Sequence, residues 1–462
     1  MKLSKNLAQK SNIFNFLFFL FPISYIVGNL GINLVVFLII LATLIIYNKE
    51  IFKFSDKNTL FLLLFFFSLV IVSTFFYRFK NLNDDTLLKS FLYLRYFFLF
   101  VAVSHIIKKN DINFKYFFLS CLICSTFLSV DVIYQSIFNK DIFGITSPRT
   151  HNAGFFGHDL IAGGYIQRFL LLGVFFIPLI TKNFKKFNFL FLSTLVLGFF
   201  GILLSGNRIP TILFLLFVIL AFFLIKKFRF EFLLTFLILP FVYFLIFNSN
   251  ENFKESHKSF WNNVIYVLEG VPNELKKKYP ELKSKVGTNF HHELRKKREQ
   301  GNLDNEKKYE ITSFGSGHTA VFVTAIETWL DSPIIGFGIR SFRKTCQTKL
   351  HLPNRVCENH PHNYYLDILN SVGVIGFLIL LFIIYSVLKR NIKLKSVIDK
   401  NRNYLITYPI LICLILEFFP LRSSGSFFGT ANASYIFLLL GIVINLTQAK
   451  KYLIFKKKKF YL

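Results

Sequence analysis

Two histidines and two asparagines lie within five residues, from Asn359 to Asn363, directly before a long apolar run. An imidazole can accept or release a proton near neutral pH, so His360 and His362 are candidates for a general base. Titratable groups are costly to hold at a membrane boundary, and where they occur they usually serve a functional site. This segment therefore predicts a catalytic site at one face of a lipid bilayer.

Arginines and further histidines lie in segments that the charge pattern assigns to the same face: Arg149, His151, His158, Arg208, Arg340 and Arg343. A guanidinium stays charged and donates paired hydrogen bonds, which suits it to phosphate. Several arginines near a histidine base predict a phosphate-bearing substrate with a proton to move, and a lipid-linked diphosphate fits both requirements. The simpler alternatives are that such arginines anchor lipid headgroups and that His151 and His158 are structural.

The elements that must position these residues are membrane helices. The chain has 462 residues, 53% of them hydrophobic, and the apolar residues form long blocks. With roughly 20 residues in each span, we predict an all-α polytopic membrane protein with about 12 transmembrane helices. The predicted spans are 12–30, 32–48, 58–77, 88–107, 116–138, 158–181, 187–205, 208–225, 230–248, 363–388, 404–421 and 432–449.

Lysine and arginine near the helix ends predict the orientation, because cytoplasmic loops are enriched in them. If the N-terminus is cytoplasmic, 27 of these residues fall in short segments on that side and 6 in short segments on the other. Both termini are then cytoplasmic. The predicted organisation is nine helices over 1–248, a large outer loop over 249–361, and three helices with a basic cytoplasmic tail over 362–462.

The net charge of +29 could suggest nucleic-acid binding, but much of it lies in the short cytoplasmic turns. We expect no nucleic-acid partner, because no basic face accompanies a recognition fold. The sequence has no HExxH, no clustered DxD and no His/Cys spacing typical of metal sites, so we expect no metal and no cofactor. Cys346 and Cys357 could pair in an oxidising compartment or stay free, since spacing alone does not decide the geometry.

Residues 205–208 and 317–388 resemble the O-antigen ligase family of multi-pass membrane glycosyltransferases. That family carries a His followed by Asn, Ser or Gln, then nine residues, then Gly-x-x-Gly. Here the motif is His362 and Asn363, nine residues, then Gly373 and Gly376.

Two further turns carry the resemblance. The Ser-Gly-x-Arg turn of the family is matched at 205–208, and its turn of Pro, two hydrophobic residues and Gly-x-Gly is matched at 333–338, with Gly336 and Gly338. One position departs from the family pattern. Many members have Arg after the Gly that opens the loop helix, and this chain has His318, so that anionic contact is either lost or supplied by Arg340 or Arg343.

The resemblance implies transfer of a glycan from undecaprenyl diphosphate to lipid A–core in lipopolysaccharide biosynthesis. It implies a bacterial inner-membrane protein with a periplasmic active face, so that the 249–361 loop is periplasmic. His362 is the expected base and Asn363 is expected to orient it or the acceptor. Arg208, Arg149 and Arg340 are the expected diphosphate ligands, and His360, His318 and the four motif glycines are expected to support the site.

Three other functions remain open from the sequence. A polymerase of O-antigen or another polysaccharide would use the same donor with a second lipid-linked glycan as acceptor, and a protein O-oligosaccharyltransferase would modify proteins. A glycan transporter would instead need charged residues along a path through the bilayer. The candidates for such a path are Arg95, Asp131, Arg168 and Glu417.

Overall fold

The computed structural model describes residues 2–52, 56–80, 84–146, 151–157, 159–181, 188–249, 253–255, 258, 317–352, 355–395, 398, 404–420, 422 and 425–446. Within these ranges the regular secondary structure is entirely helical, as predicted. The helices are α1 (Lys2–Val27), α2 (Asn29–Tyr47), α3 (Lys57–Lys80), α4 (Asp84–Lys109), α5 (Phe114–Phe138), α6 (Ala162–Gly173), α7 (Phe176–Ile180), α8 (Asn188–Leu204), α9 (Arg208–Leu224), α10 (Arg229–Ser249), α11 (Gly317–Leu330), α12 (Phe342–Thr345), α13 (Tyr364–Lys393), α14 (Tyr404–Glu417) and α15 (Thr430–Leu446).

Eight helical segments in the described residues are long and apolar enough to cross a membrane by length and composition. They are α1 to α5, the α6–α7 pair, α10 and α13. The other four predicted spans coincide with the shorter apolar helices α8, α9, α14 and α15, which have 14 to 17 residues. The chain is thus a multi-pass, all-α membrane protein, and a count of twelve crossings stays a prediction.

Local sequence explains where α5 begins and ends, and α14 ends earlier than predicted. Asn113 caps α5 by accepting a hydrogen bond from the N–H of Lys115 (3.1 Å), as short polar side chains do at helix starts. Asn139 ends the same helix in the left-handed conformation, at φ 59°. At the other end of the chain, α14 stops at Glu417, four residues before the predicted end of that span.

Helices α13, α3, α4 and α15 pack against one another in that order. The α4 helix lies along α15, and α3 packs against both α4 and α13. Aromatic rings fill these contacts, with centroids 5.1 Å apart for Phe66 and Phe437 and 5.2 Å apart for Tyr93 and Phe428. The α6 helix packs against α9 and α14. Aromatic contacts therefore join α3, α4 and α15 and the loop that precedes α15.

The predicted outer loop is described only in part. The α10 helix ends at Ser249 and α13 begins at Tyr364, close to the predicted limits of this loop. Residues 259–316 lie outside the described part, as do Arg149, His158 and the basic tail. The side of the membrane on which the loop lies, and the division of the chain into three regions, stay predictions.

Candidate functional site

Asn363 begins α13 and ties it to the following loop. Its backbone is extended, and its Oδ1 accepts hydrogen bonds from the N–H groups of Tyr365 (2.9 Å) and Leu366 (3.2 Å). Its Nδ2 donates to the carbonyl oxygen of Pro420, in the α14–α15 loop (2.9 Å). Asn363 is thus a helix cap whose amide also joins two elements, a role that the motif alone did not reveal.

His362 and His360 lie together at the entry to α13. Their ring centroids are 4.2 Å apart and their planes are inclined by 46°, and both side chains are partly exposed. His362 has φ 57°, in the left-handed region that costs an L-residue roughly 1–2 kcal/mol. Such strain persists where the surroundings impose it, and it is concentrated at functional sites.

A break in α13 at Gly373 joins this helix to the 333–338 turn. Gly373 has φ 60° and ψ −164°, so the helical hydrogen bonds cannot continue through it. The freed backbone groups pair with the turn in both directions. The N–H groups of Phe337 and Gly338 donate to the carbonyl oxygens of Asn370 and Ser371 (2.8 and 2.9 Å), and those of Val374 and Ile375 donate to Pro333 and Ile334 (2.9 and 3.2 Å). We call residues 333–338 and 370–375 the glycine junction.

Two glycines make the glycine junction possible, because the two backbones touch there. Gly336 has φ 69°, and a Cβ added to it would lie 2.6 Å from the carbonyl carbon of Ser371. A Cβ on Gly373 would collide with the carbonyl group of Ile334. The Gly-x-Gly turn and the Gly-x-x-Gly motif are thus the two halves of one backbone contact.

The second glycine of each motif has a separate packing role. Gly338 has φ 94°, and a Cβ there would lie 2.9 Å from the Oγ of Ser73 in α3. That same hydroxyl accepts a hydrogen bond from the N–H of Ile339 (3.2 Å). Gly376 lies one turn after the break, where a Cβ would collide with the side chain of Val372. Both positions therefore need glycine to keep the junction close.

Arg340 lies next to the junction and faces the α14–α15 loop. Its Nη2 donates to the carbonyl oxygen of Phe428 (3.1 Å), and its charge interacts with that of Asp367. The Asp367 carboxylate, on α13, also accepts hydrogen bonds from Ser426 Oγ (2.6 Å) and the N–H of Phe427 (2.9 Å). Arg340 is therefore close to the first turn of the helix that His362 precedes.

The turn that carries Arg208 is bound to the segment before α6. Asn152 Nδ2 donates to Leu204 O (2.8 Å), the Gly163 N–H donates to Asn207 Oδ1 (3.0 Å), and Asn207 Nδ2 donates to Leu160 O (3.3 Å). Gly206, at φ 74°, lies directly against the His151 ring. The structure thus brings together two of the segments singled out in the sequence. Arg149 falls outside the described residues, and so does the side chain of His318.

A buried ion cluster next to Tyr364 was not recognised from the sequence as part of the candidate site. Glu417 accepts hydrogen bonds from Arg168 through both of its oxygens (2.8 and 2.7 Å) and from Arg422 Nη1 (2.7 Å). Arg168 also donates to Asn432 Oδ1 (2.6 Å), and Tyr364 lies within 3.5 Å of both Arg168 and Glu417. We call Arg168, Glu417 and Arg422 the Arg–Glu–Arg cluster. The signal in the sequence was the presence of charges in apolar runs.

The four intramembrane charges considered for transport are engaged in local contacts. Arg168 and Glu417 pair with each other within the cluster. Asp131 accepts from the N–H groups of Ile142 (2.9 Å) and Phe155 (2.8 Å). Arg95 donates to Leu92 O (2.6 Å) and Tyr96 Oη (2.8 Å). The contacts of Arg168, Glu417 and Asp131 join different segments of the chain, whereas those of Arg95 lie within α4.

The described end of the outer loop forms a small module on top of α13. Val321, Ala325, Phe342 and Cys346 form its buried centre, and a disulfide joins Cys346 to Cys357, with Cα atoms 5.3 Å apart. The disulfide was one of two alternatives left open by the sequence. Glu327 pairs with Arg355, and the hydrogen bonds from Arg355 hold the pKa of the Glu327 carboxyl below its usual value. Asn370 Nδ2 donates to Ala325 O (3.0 Å), which fastens the module to α13.

Within the described residues, no three His, Cys, Asp or Glu side chains lie together in a way that could hold a metal ion. The described site offers two neighbouring imidazoles directly before α13, and two guanidinium groups, those of Arg168 and Arg422, near Tyr364 in the first turn of that helix. Such a site can accept a proton from a hydroxyl and stabilise negative charge on phosphate oxygens.

Comparison with known proteins agrees with this arrangement. The family model described as O-antigen ligase matches residues 193–381, a range that contains the 205–208 turn, the glycine junction and the His362 motif. No curated protein matches the chain. The family match supports a ligase or polymerase type of function on lipid-linked glycans, in a membrane. Residues 193–381 of the chain are therefore similar to the O-antigen ligase family.

Proposed function

We propose that this protein is a glycosyltransferase of the bacterial inner membrane that moves a glycan from undecaprenyl diphosphate to lipid A–core in the periplasm. The observation that carries the proposal is the position of His362. It lies at the start of α13, in contact with His360. Two residues later, the hydroxyl of Tyr364 lies near Arg168 and Glu417 of the Arg–Glu–Arg cluster. This position supports a site in which a histidine base and arginine cations act on a diphosphate donor, as the resemblance implies.

In the proposed reaction, the acceptor hydroxyl oxygen attacks the anomeric carbon of the donor sugar. A new carbon–oxygen bond forms as the bond between that carbon and the diphosphate oxygen breaks, and the lipid diphosphate leaves with the electron pair. His362 takes the hydroxyl proton. Arg208, Arg149 and Arg340 stabilise the charge that develops on the leaving group, with no metal ion required. Cleavage of the activated diphosphate linkage drives the transfer.

Asn363 supports the reaction by fixing the direction in which α13 begins. Its cap bonds to Tyr365 and Leu366 and its bond to Pro420 hold the backbone that carries His362. The glycine junction holds the same helix about two turns further along, at residues 370–375. Both restraints act on the imidazole through the backbone, so they set its position without contact with the substrate.

The experiment that tests the proposal is a glycan-profile gel of a deletion strain complemented with wild type or with His362→Ala. A ligase predicts loss of all capped lipopolysaccharide with retention of lipid-linked polymer, restored by wild type alone. A single repeat unit left on the core would instead identify a polymerase. Normal lipopolysaccharide with loss of glycan from periplasmic proteins would identify a protein O-oligosaccharyltransferase.

A further inference from the structure

The Arg–Glu–Arg cluster has a net positive charge, because it contains two guanidinium groups and one carboxylate. Glu417 is almost fully buried, with 1% of its side chain exposed, and Arg168 alone already engages both of its oxygens. Arg422 adds a second guanidinium with only 7% of its side chain exposed. Burying charge without a partner is costly, and the cost is largest at membrane depth.

The neighbouring carboxylate does not balance this excess. Asp367 interacts with the charge of Arg340 and accepts hydrogen bonds from Ser426 and Phe427. The Arg–Glu–Arg cluster therefore keeps two guanidinium groups against one carboxylate. Because Arg168 engages both Glu417 oxygens, the excess positive charge of the cluster belongs to Arg422.

The geometry of Arg422 leaves donors for such a ligand. Within the part of the chain that the structure describes, its side chain donates through Nη1 alone, to Glu417 Oε1 (2.7 Å) and Leu416 O (3.5 Å). Its Nε and Nη2 form the planar edge that binds a phosphate through two parallel hydrogen bonds. The guanidinium carbon lies 5.8 Å from the centre of the Tyr364 ring, so the guanidinium group is held beside the residue that follows the Asn363 cap.

We propose that Arg422 is a further ligand of the donor diphosphate, held in place by Glu417. This inference rests on the proposed function and extends it to a residue outside the matched range of 193–381. Glu417 and Arg168 are positioning residues, since their charges balance each other. The diphosphate supplies the negative charge that completes the cluster, and Arg422 then stabilises the same oxygens that become the leaving group.

The test measures binding separately from transfer. Full-length protein in lipid nanodiscs is titrated with undecaprenyl diphosphate and, as the uncharged probe, with undecaprenol. Arg422→Gln should weaken binding of the diphosphate about 10- to 100-fold, as expected for lost hydrogen bonds to a charged group, and leave undecaprenol binding unchanged. Arg229→Gln is the matched control, because Arg229 contacts Phe222, at the opposite end of α9 from Arg208.

The Arg422→Gln variant should fold, because Glu417 keeps both hydrogen bonds from Arg168. If it does not, Arg422→Lys decides the matter: it keeps the charge, loses the paired donors, and should bind the diphosphate more weakly than wild type. Wild-type diphosphate binding by the Gln variant, or by the Lys variant if only that one folds, would overturn the proposal. Absence of glycan transfer by wild type, with binding that still depends on Arg422, would reject the proposed function and keep this inference.

Discussion

At the scale of single residues, the His motif was recognisable from the sequence, and the structure adds conformation and contact. The rings of His362 and His360 are in contact, and of these two residues His362 has a left-handed backbone. The role of Asn363 as a cap follows a familiar local rule, yet its bond to Pro420 joins residues 57 apart in the chain. The pairing of Arg168 with Glu417 spans 249 residues. No local pattern encodes such a separation, so the sequence could show the charges and could not show their pairing.

The first residue-scale prediction separates the ring of His362 from its backbone. Loss of a general base typically costs about 10²–10⁴ in rate, so His362→Ala should lose transfer activity by that order. His362→Gly relieves the backbone strain at φ 57° and should lose as much, because the imidazole is gone in both variants. His360→Ala should lose less. The measurement is the transfer rate of purified variants with lipid-linked donor in excess.

Two results would contradict this assignment. An active His362→Ala together with an inactive His360→Ala would reverse the roles of the two histidines. Wild-type rates in both would exclude histidine base catalysis from this segment.

The second residue-scale prediction concerns Arg208. Arg208→Ala should nearly abolish transfer, and Arg208→Lys should recover only part of it, because an ammonium cannot reproduce the paired donors of a guanidinium. Transfer rates at varied donor concentration measure the effect, with Arg229→Gln again as the control. Full activity of the Lys variant would reduce Arg208 to an electrostatic anchor, and an active Ala variant would remove it from the site.

At the scale of elements, the helices were largely predictable, because a long apolar block in a membrane has few alternatives to a helix. The ends of the helices were harder to predict. The predicted span 158–181 is two helices, Ala162–Gly173 and Phe176–Ile180, and α13 continues to Lys393 with a break at Gly373. The spacing of the motif glycines was visible in the sequence, but their mutual contact was not. That contact depends on a backbone pairing between segments that α12 and the disulfide separate.

The element-scale prediction tests the glycine junction. Gly373→Ala places a Cβ against the carbonyl group of Ile334 at a positive φ, so it should destabilise the protein by roughly 1–3 kcal/mol or more and lower activity. Gly164→Ala is the matched control, since it lies in α6 and has no heavy atom within 4 Å of the added Cβ. Thermal unfolding of both purified variants measures the difference. Equal melting temperatures for the two would show that the junction does not hold α13.

At the scale of the whole molecule, the charge pattern predicts on which side of the membrane each loop lies. The positions of the helices do not test this prediction. A thiol reagent that cannot cross the membrane should label Ser284→Cys in intact cells and spare Lys395→Cys. The native cysteines should contribute little signal, because Cys121, Cys124 and Cys413 are buried and the other two form the disulfide. The opposite labelling pattern would invert the orientation and place the histidines in the cytoplasm.

The second prediction at this scale is that transfer needs no divalent cation. If guanidinium groups supply the positive charge around the diphosphate, activity in detergent should survive chelation with EDTA. The measurement compares transfer rates before and after chelation, and after Mg²⁺ or Mn²⁺ is added back. Activity that is lost and then restored by metal would point to a carboxylate such as Asp159 as part of a metal site.

The glycine junction has a consequence for how this protein can vary among its relatives. Its four hydrogen bonds join main-chain atoms only, so the residues enclosed between Phe337 and Asn370 can change in type and number while the base of the loop stays the same. Neither of the two glycines can change, because a side chain on either one strikes the backbone of the other segment. Gly336 and Gly373 should therefore both be retained among relatives, while the enclosed loop diverges.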